Sequence, residues 1–360
     1  MTSGLQPRMA EALRLTRAGR LVEAAALLKS GLTGAPDASA PVPPTDLKPA
    51  KRSAAPRLPS ARSGHAAPQR TKGSASFGEH NYQGAAGQLG YWLYSPADAK
   101  AGMPVVVMLH GCTQSPEDFA LGTGMNRLAD EFGFLVIYPG QTRSANAQKC
   151  WNWFRPGDQQ RDGGEPALIA GITREVISRL GADASRVFVA GLSAGGAAAA
   201  IMAAAYPDLY AAAGVHSGLA CGSARDLPSA LGAMRSGGGH GPAARPGARF
   251  VPVITFHGDS DSTVHEINSR EIVAAASQAA GGHPTTRIEK GRSAAGRSYT
   301  RALTVDSAGR TLIEQWTVHG LAHAWSGGDR SGSYTDPNGP DASREMVRFF
   351  LEQAGARASA

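Results

Sequence analysis

The stretch Val187-Phe-Val-Ala-Gly191-Leu-Ser193-Ala-Gly195-Gly196, followed at once by an alanine-rich run, constrains this chain more than any other part of it. An apolar run that meets glycines and then a helix former predicts a buried strand, a sharp turn and a helix. The glycines leave the crossing of strand and helix free of side chains, and the turn lifts the Ser193 hydroxyl clear of the backbone. The following helix aims its free N–H groups and the positive end of its dipole at the same place. Such a unit stands naturally in a parallel sheet covered by helices on both faces.

The same texture repeats from Phe77 onward. Short apolar runs predict strands at 89–94, 105–109, 134–138, 187–190, 253–256 and 313–318, and amphipathic stretches predict helices near 117–132, 166–180, 194–205, 266–280 and 341–353. The segment 232–249 has no periodicity and reads as a loop, either near a functional site or a plain surface insertion.

The first part of the chain is different. Residues 7–31 carry Met9, Leu13, Leu21, Leu27 and Leu28 around Gly19, which predicts a short helical hairpin over residues 1–34. One such unit cannot bury its own apolar face, so it either docks on another surface or remains a loosely held cap. Residues 35–76 form a Pro/Ala-rich basic linker, with eight prolines between Pro36 and Pro68, and are expected to be disordered. A catalytic domain is expected over 77–356.

The formal net charge of +7 would suit a nucleic-acid ligand if it were spread over the folded part. It is not: residues 1–75 hold 12 Lys/Arg and 4 Asp/Glu, while the rest holds 24 and 25. The domain therefore has no global preference for polyanions, and no nucleic-acid partner is expected. No run approaches the roughly 20 apolar residues of a membrane span, and no secretory apolar run is visible at the N-terminus. A cytoplasmic location is favoured on that reading. Three cysteines are too few for a disulfide framework or a metal cluster; a single Cys112–Cys150 bond stays open and would argue for an oxidising compartment.

Ser193 in its strand–turn–helix setting matches the nucleophile elbow of an α/β-hydrolase fold, in which a serine, an acid and a histidine follow in that chain order. The acid is sought in Phe256-His257-Gly258-Asp259-Ser260-Asp261, at the end of an expected strand. The hydrolase pattern His-Gly-x-x-Asp-x-x-Val places it at Asp261, leaving Asp259 as a turn former. Of the histidines beyond it, His265 is too near the acid and His283 sits in a turn. His319 ends an expected strand, whereas His323 lies on a glycine-flanked loop suited to a base that reaches over to the serine. His323 is therefore the expected base. The oxyanion needs two N–H donors: the residue after the nucleophile, Ala194, and the first residue past His110-Gly111, namely Cys112, whose thiol itself reads as buried and structural.

Taken together, His110-Gly-Cys112-Thr-Gln114, the run from Asn126 to Pro139, Cys150-Trp151-Asn152-Trp153-Phe154, Gly191-Leu-Ser193-Ala-Gly195-Gly196, His257-Gly-Asp-Ser-Asp261 and His323-Ala-Trp325-Ser-Gly-Gly328 resemble the poly(3-hydroxybutyrate) depolymerase family of esterases, relatives of feruloyl and acetylxylan esterases. The resemblance runs from about Phe77 to Phe350 and implies a serine hydrolase with the triad Ser193, Asp261 and His323, an oxyanion hole from Cys112 and Ala194, and no metal or organic cofactor. Its substrate would be a polyhydroxyalkanoate-like ester, polymer or oligomer, or alternatively a feruloyl or acetyl ester of a carbohydrate. Trp151, Trp153 and Trp325 either line the substrate cleft or pack in the core. The basic arm would serve to find a polymer granule surface; a binding protein with an inert hydrolase domain is the non-enzymatic alternative.

Overall fold

The computed structural model describes residues 74–239 and 249–358. The expected hairpin over 1–34 and nearly all of the linker 35–76 lie outside the described residues. The fold is an α/β-hydrolase sandwich built on a ten-stranded sheet with the order β1-β2-β4-β3-β5-β6-β7-β10-β9-β8. Its strands are β1 (Ser76–Gly84), β2 (Gly87–Ser95), β3 (Val105–Leu109), β4 (Leu135–Pro139), β5 (Val187–Leu192), β6 (Ala212–His216), β7 (Val253–Gly258), β8 (Thr285–Arg292), β9 (Ser298–Val305) and β10 (Thr311–Val318). The six strands from β4 to β10 run parallel, and antiparallel hairpins, β1–β2 and β8–β9, extend the sheet at its two ends.

Strands β3 to β7 are buried at every residue, as expected where helices cover both faces. Side chains alternate between two apolar layers with the strand period of two. Val105, Val107 and Leu109 enter one layer with Ile169, Ile172 and Met202; Val106 and Met108 enter the other with Leu128, Phe349 and Phe350. The first layer is roofed by α3 (Gly164–Leu180), α4 (Ala194–Ala205) and α6 (Ile267–Ala280), and the second by α1 (Pro116–Thr123), α2 (Met125–Phe132) and α7 (Ala342–Ala358).

Several expectations are corrected in detail. The helix expected over 117–132 is two helices, because Gly124 between them takes a left-handed φ of 61° that ends α1 and starts α2 on a new axis. The loop expected over 232–249 begins as helix: α5 (Leu227–Ser236) starts on a capping box in which Asp226 and Ser229 bond each other's backbone. Residues 240–248 lie outside the described part. Strands β1, β6, β8 and β9 lie outside the expected set.

What this frame does for function is to bring four strand ends to one edge. β5 runs into Ser193, β3 into His110, β7 into Asp259, and β10 into His319. Loops at the carboxyl edge of a parallel sheet form the crevice where ligands meet such folds.

Candidate active site

Ser193 sits at φ 58° and ψ −119°, a conformation that L-residues rarely adopt. Its N–H donates to the His216 carbonyl at 2.9 Å, and its own carbonyl accepts from Ala197 at 2.9 Å, so the turn is fixed on both sides. The glycines are steric necessities. A Cβ on Gly195 would lie 2.0 Å from the Leu109 carbonyl oxygen, and one on Gly191 2.3 Å from the Gly195 oxygen. Gly196 similarly faces the His216 oxygen at 2.9 Å. Helix α4 therefore crosses β3 and β5 at backbone contact distance, with its N-terminus directly behind the serine.

Asp261 and His323 meet across the ends of β7 and β10. The His323 Nδ1–H donates to Asp261 Oδ2 at 2.7 Å, which leaves Nε2 as the free face of the ring. The other carboxylate oxygen accepts from the Thr263 and Val264 N–H groups, each at 2.9 Å. Burial alone would raise the Asp261 carboxyl, but the hydrogen bond and charge of His323, with His257 and the Val264 amide, hold it below the ordinary carboxylate value. His257 braces the loop from beneath by donating Nε2–H to the Val264 carbonyl at 2.8 Å.

The two residues passed over in favour of Asp261 and His323 pair with each other. His319 Nδ1 donates to Asp259 Oδ2 at 2.8 Å, Gly320 N–H donates to Asp259 Oδ1 at 2.7 Å, and His319 Nε2 bonds Thr300 Oγ1 at 2.9 Å. Asp259 sits in the expected turn, closed by the Asp261 N–H on the Gly258 carbonyl at 3.3 Å, and its side chain also braces the neighbouring loop. Burial tends to raise its carboxyl, but the bonds from His319 and Gly320 hold it below the usual range. The pair is about one third or more exposed, unlike Asp261.

The loop after β3 carries the expected oxyanion donor Cys112. It is pinned by Gly111 N–H to Gln114 Oε1 at 2.9 Å, by Thr113 N–H to the Gln148 carbonyl at 2.6 Å, and by a Cys112–Cys150 disulfide. The buried-thiol expectation for Cys112 is therefore corrected. Beneath it lies a buried polar network. Trp151 Nε1 donates to the His110 carbonyl at 3.1 Å, and Gln141 N–H to His110 Nε2 at 3.1 Å. Glu165 accepts from the Gln141 and Asn152 side-chain amides and, at 2.8 Å, from the Asn152 N–H. Burial, with the nearby Asp158 carboxylate, pushes the Glu165 carboxyl up to about 7, against the pull of those donors. Burial also pushes His110 down to about 4, so it is neutral and serves as a structural acceptor.

Ser193, His323, Cys112 and Ala194 open onto one pocket of about 70 Å³, walled by Trp153, Leu219, Met234, Val264 and Tyr334. Of the three tryptophans expected at a cleft, Trp153 is there. Trp151 and Trp325 are closed into the interior, where their indole N–H groups find the His110 carbonyl and Ser343 Oγ. Buried indoles take such partners and leave no face for a ligand. Leu219 and Tyr334, which carry no motif, are wall residues that the sequence does not mark. A larger apolar hollow of about 400 Å³ lies between α4 and α6 and holds none of the candidate residues.

The chain is 33% identical over 247 residues to poly(3-hydroxyalkanoate) depolymerase C of Paucimonas lemoignei, covering 66% of this chain and 58% of that one. It is 29% identical over 199 residues to a probable acetylxylan esterase A of Aspergillus clavatus, covering 51% and 64%. The chain thus spans less than two thirds of the length of these relatives. Among solved structures, the acetyl xylan esterase from Aspergillus awamori superposes with a TM-score of 0.61 at 21% identity, over 76% of this chain and 99% of that one, which is a likeness of fold. Residues 89–290 match the family model described as esterase PHB depolymerase, and with more than half of its length so matched the chain belongs to that family.

Proposed function

We propose that this protein is a serine esterase that cleaves carboxylic esters through an acyl-enzyme on Ser193, with hydroxyalkanoate esters as substrates. The observation that carries the reading is the Asp261–His323 hydrogen bond at 2.7 Å, with His323 on the same pocket as a serine held in a strained turn at a helix N-terminus. Family membership and the likeness to a poly(3-hydroxyalkanoate) depolymerase support the substrate class.

In this mechanism His323 Nε2 takes the Ser193 proton as Oγ attacks the ester carbonyl. Asp261 holds the ring in the tautomer whose Nε2 is free, and then balances the imidazolium charge. The N–H groups of Cys112 and Ala194 receive the developing oxyanion, where preorganised donors are worth more than in water because they need no reorganisation. The imidazolium returns its proton to the leaving alkoxide. A water activated by the same histidine then releases the acid and regenerates the serine.

The basic N-terminal arm is proposed to hold the enzyme near a polymer surface, a reading supported by its charge alone. No helix among the described residues is long and apolar enough to cross a membrane. The Cys112–Cys150 disulfide favours an oxidising compartment over the cytoplasmic location expected from the N-terminus.

The test is a side-by-side incubation with 3-hydroxybutyrate oligomers, amorphous polymer and acetylated xylo-oligosaccharides, using wild type and Ser193→Ala. Release of hydroxybutyrate by wild type alone is expected. Release of acetate with hydroxybutyrate oligomers left intact would overturn the substrate assignment, and turnover by the folded alanine variant would overturn the mechanism.

A further inference from the structure

Six non-glycine residues of the described chain take a positive φ; Ser193 and Tyr334, at 53°, line one pocket, and a third, Thr113 at 69°, bonds the Tyr334 hydroxyl. Strained backbone of this kind is kept where surrounding contacts over-determine it, and it clusters at working sites. The Tyr334 backbone is held in that way. Its carbonyl accepts from the Trp325 N–H at 2.7 Å, while the preceding Ser333 N–H donates to Asp118 Oδ1 at 2.9 Å and its carbonyl accepts from Gln114 Nε2 at 3.1 Å.

The side chain, in contrast, is spent on nothing structural that would demand an aromatic ring. Tyr334 is 44% exposed, one of the few large apolar side chains of the described residues left in the open. Its hydroxyl meets Thr113 Oγ1 at 3.1 Å, next to the candidate oxyanion donor Cys112, and its ring walls the pocket that holds Ser193 and His323.

The pocket is small. Its volume of about 70 Å³ is less than a fifth of that of the hollow between α4 and α6. Anything larger than the pocket must leave through the mouth, and Tyr334 is the exposed aromatic there. Building on the esterase reading above, we propose that Tyr334 is a specificity-determining contact. Its ring is the face on which the alcohol part of the ester lies, and it selects esters whose alcohol carries a further apolar or ring-bearing unit.

Two esters with the same acyl group and similar unactivated leaving groups, ethyl butyrate and 2-phenylethyl butyrate, test this with wild type, Tyr334→Ala and Tyr334→Phe. The alanine variant is expected to raise KM for the phenylethyl ester about tenfold, the usual size of a lost aromatic anchor. Its KM for ethyl butyrate should rise several-fold less, while phenylalanine, which keeps the ring, should hold the ratio of the two KM values within about twofold of wild type. Equal effects of alanine on the two esters, or a loss with phenylalanine as large as with alanine, would overturn the assignment. Tyr334→Asn, which suits a left-handed backbone, replaces alanine if that variant fails to fold, and the same KM change is expected. Inactivity of the wild type on both esters would instead overturn the esterase reading on which the assignment rests.

Discussion

Two carboxylates, Asp259 and Asp261, each hold a histidine Nδ1 within 2.8 Å, yet replacing them one at a time by asparagine should have very different consequences. The Asp261 side chain is fully buried and bonded to a ring that is itself largely buried. An asparagine there can still accept the Thr263 and Val264 N–H groups through one oxygen, so the loop should persist. On the His323 side it turns a donor toward the ring, which favours the wrong tautomer and removes the charge that balances the imidazolium. In Ser–His–Asp hydrolases that loss is about 10⁴-fold in kcat, or about 5 kcal/mol at 1.36 kcal/mol per tenfold. Asp259 and His319 are about 34% and 42% exposed, and an exposed pair is worth roughly 0–1 kcal/mol, so Asp259→Asn should cost no more than about fivefold. The assay is hydrolysis of p-nitrophenyl butyrate, with thermal melting to confirm that both variants fold. An Asp259→Asn variant crippled more than Asp261→Asn, or an Asp261→Asn variant within tenfold of wild type, would refute the assignment of roles.

Further predictions concern the frame around the site. Gly195→Ala should destabilise the fold by on the order of 3 kcal/mol, because its Cβ would meet backbone oxygens of Leu109 and His110, whereas Gly232→Ala on the open side of α5 should add about 0.5–1 kcal/mol; urea unfolding separates them. Glu165, pushed up to about 7 when folded, binds an extra proton in the native state between its unfolded value near 4.5 and that pH. Its contribution is therefore fully present below about pH 4.5 and lost as pH rises through 7, a decline of about 3 kcal/mol that should vanish from the same pH series in Glu165→Gln, and parallel stability curves for the two proteins would contradict it. Cys112 and Cys150 are 38 residues apart, so loss of their bond in the double serine variant should lower stability by about 2–4 kcal/mol, while unchanged midpoints with and without reductant would show that the bond does not form.

The centre of the fold was legible in the sequence because its requirements are local. A strand, a serine between glycines and an alanine-rich helix leave few other conformations, and β3, β5 and β7 announce themselves by branched apolar runs. What escaped notice depends on distant partners. β6 is Ala-Ala-Gly-Val-His, poor in strand formers, and it is a strand because β5 and β7 bond it on both sides. β8 is exposed along nearly all of its length and has no apolar face to betray it; it exists as the outer partner of β9.

The candidate site divides in the same way. Ser193, Asp261 and His323 could be ordered by chain position and loop context. The tryptophans could not be placed, since burial of Trp151 and Trp325 follows from acceptors at His110 and Ser343, remote in sequence. Nor could Tyr334 be found, because neither its left-handed backbone nor its place opposite Thr113 has a local signature. Asp259 and His319 lie 60 residues apart with no shared local pattern, and only their meeting across two loops reveals that they brace each other.

The central claim is a covalent intermediate on Ser193. Incubating wild type with p-nitrophenyl butyrate, quenching in acid within the first turnovers and mapping peptides by mass spectrometry tests it most directly. A butyryl group is expected on the peptide containing Ser193, absent from Ser193→Ala and strongly reduced in His323→Ala, which lacks the base for the attack. Steady hydrolysis with no acyl group on that peptide, or with the adduct on another residue, would contradict it.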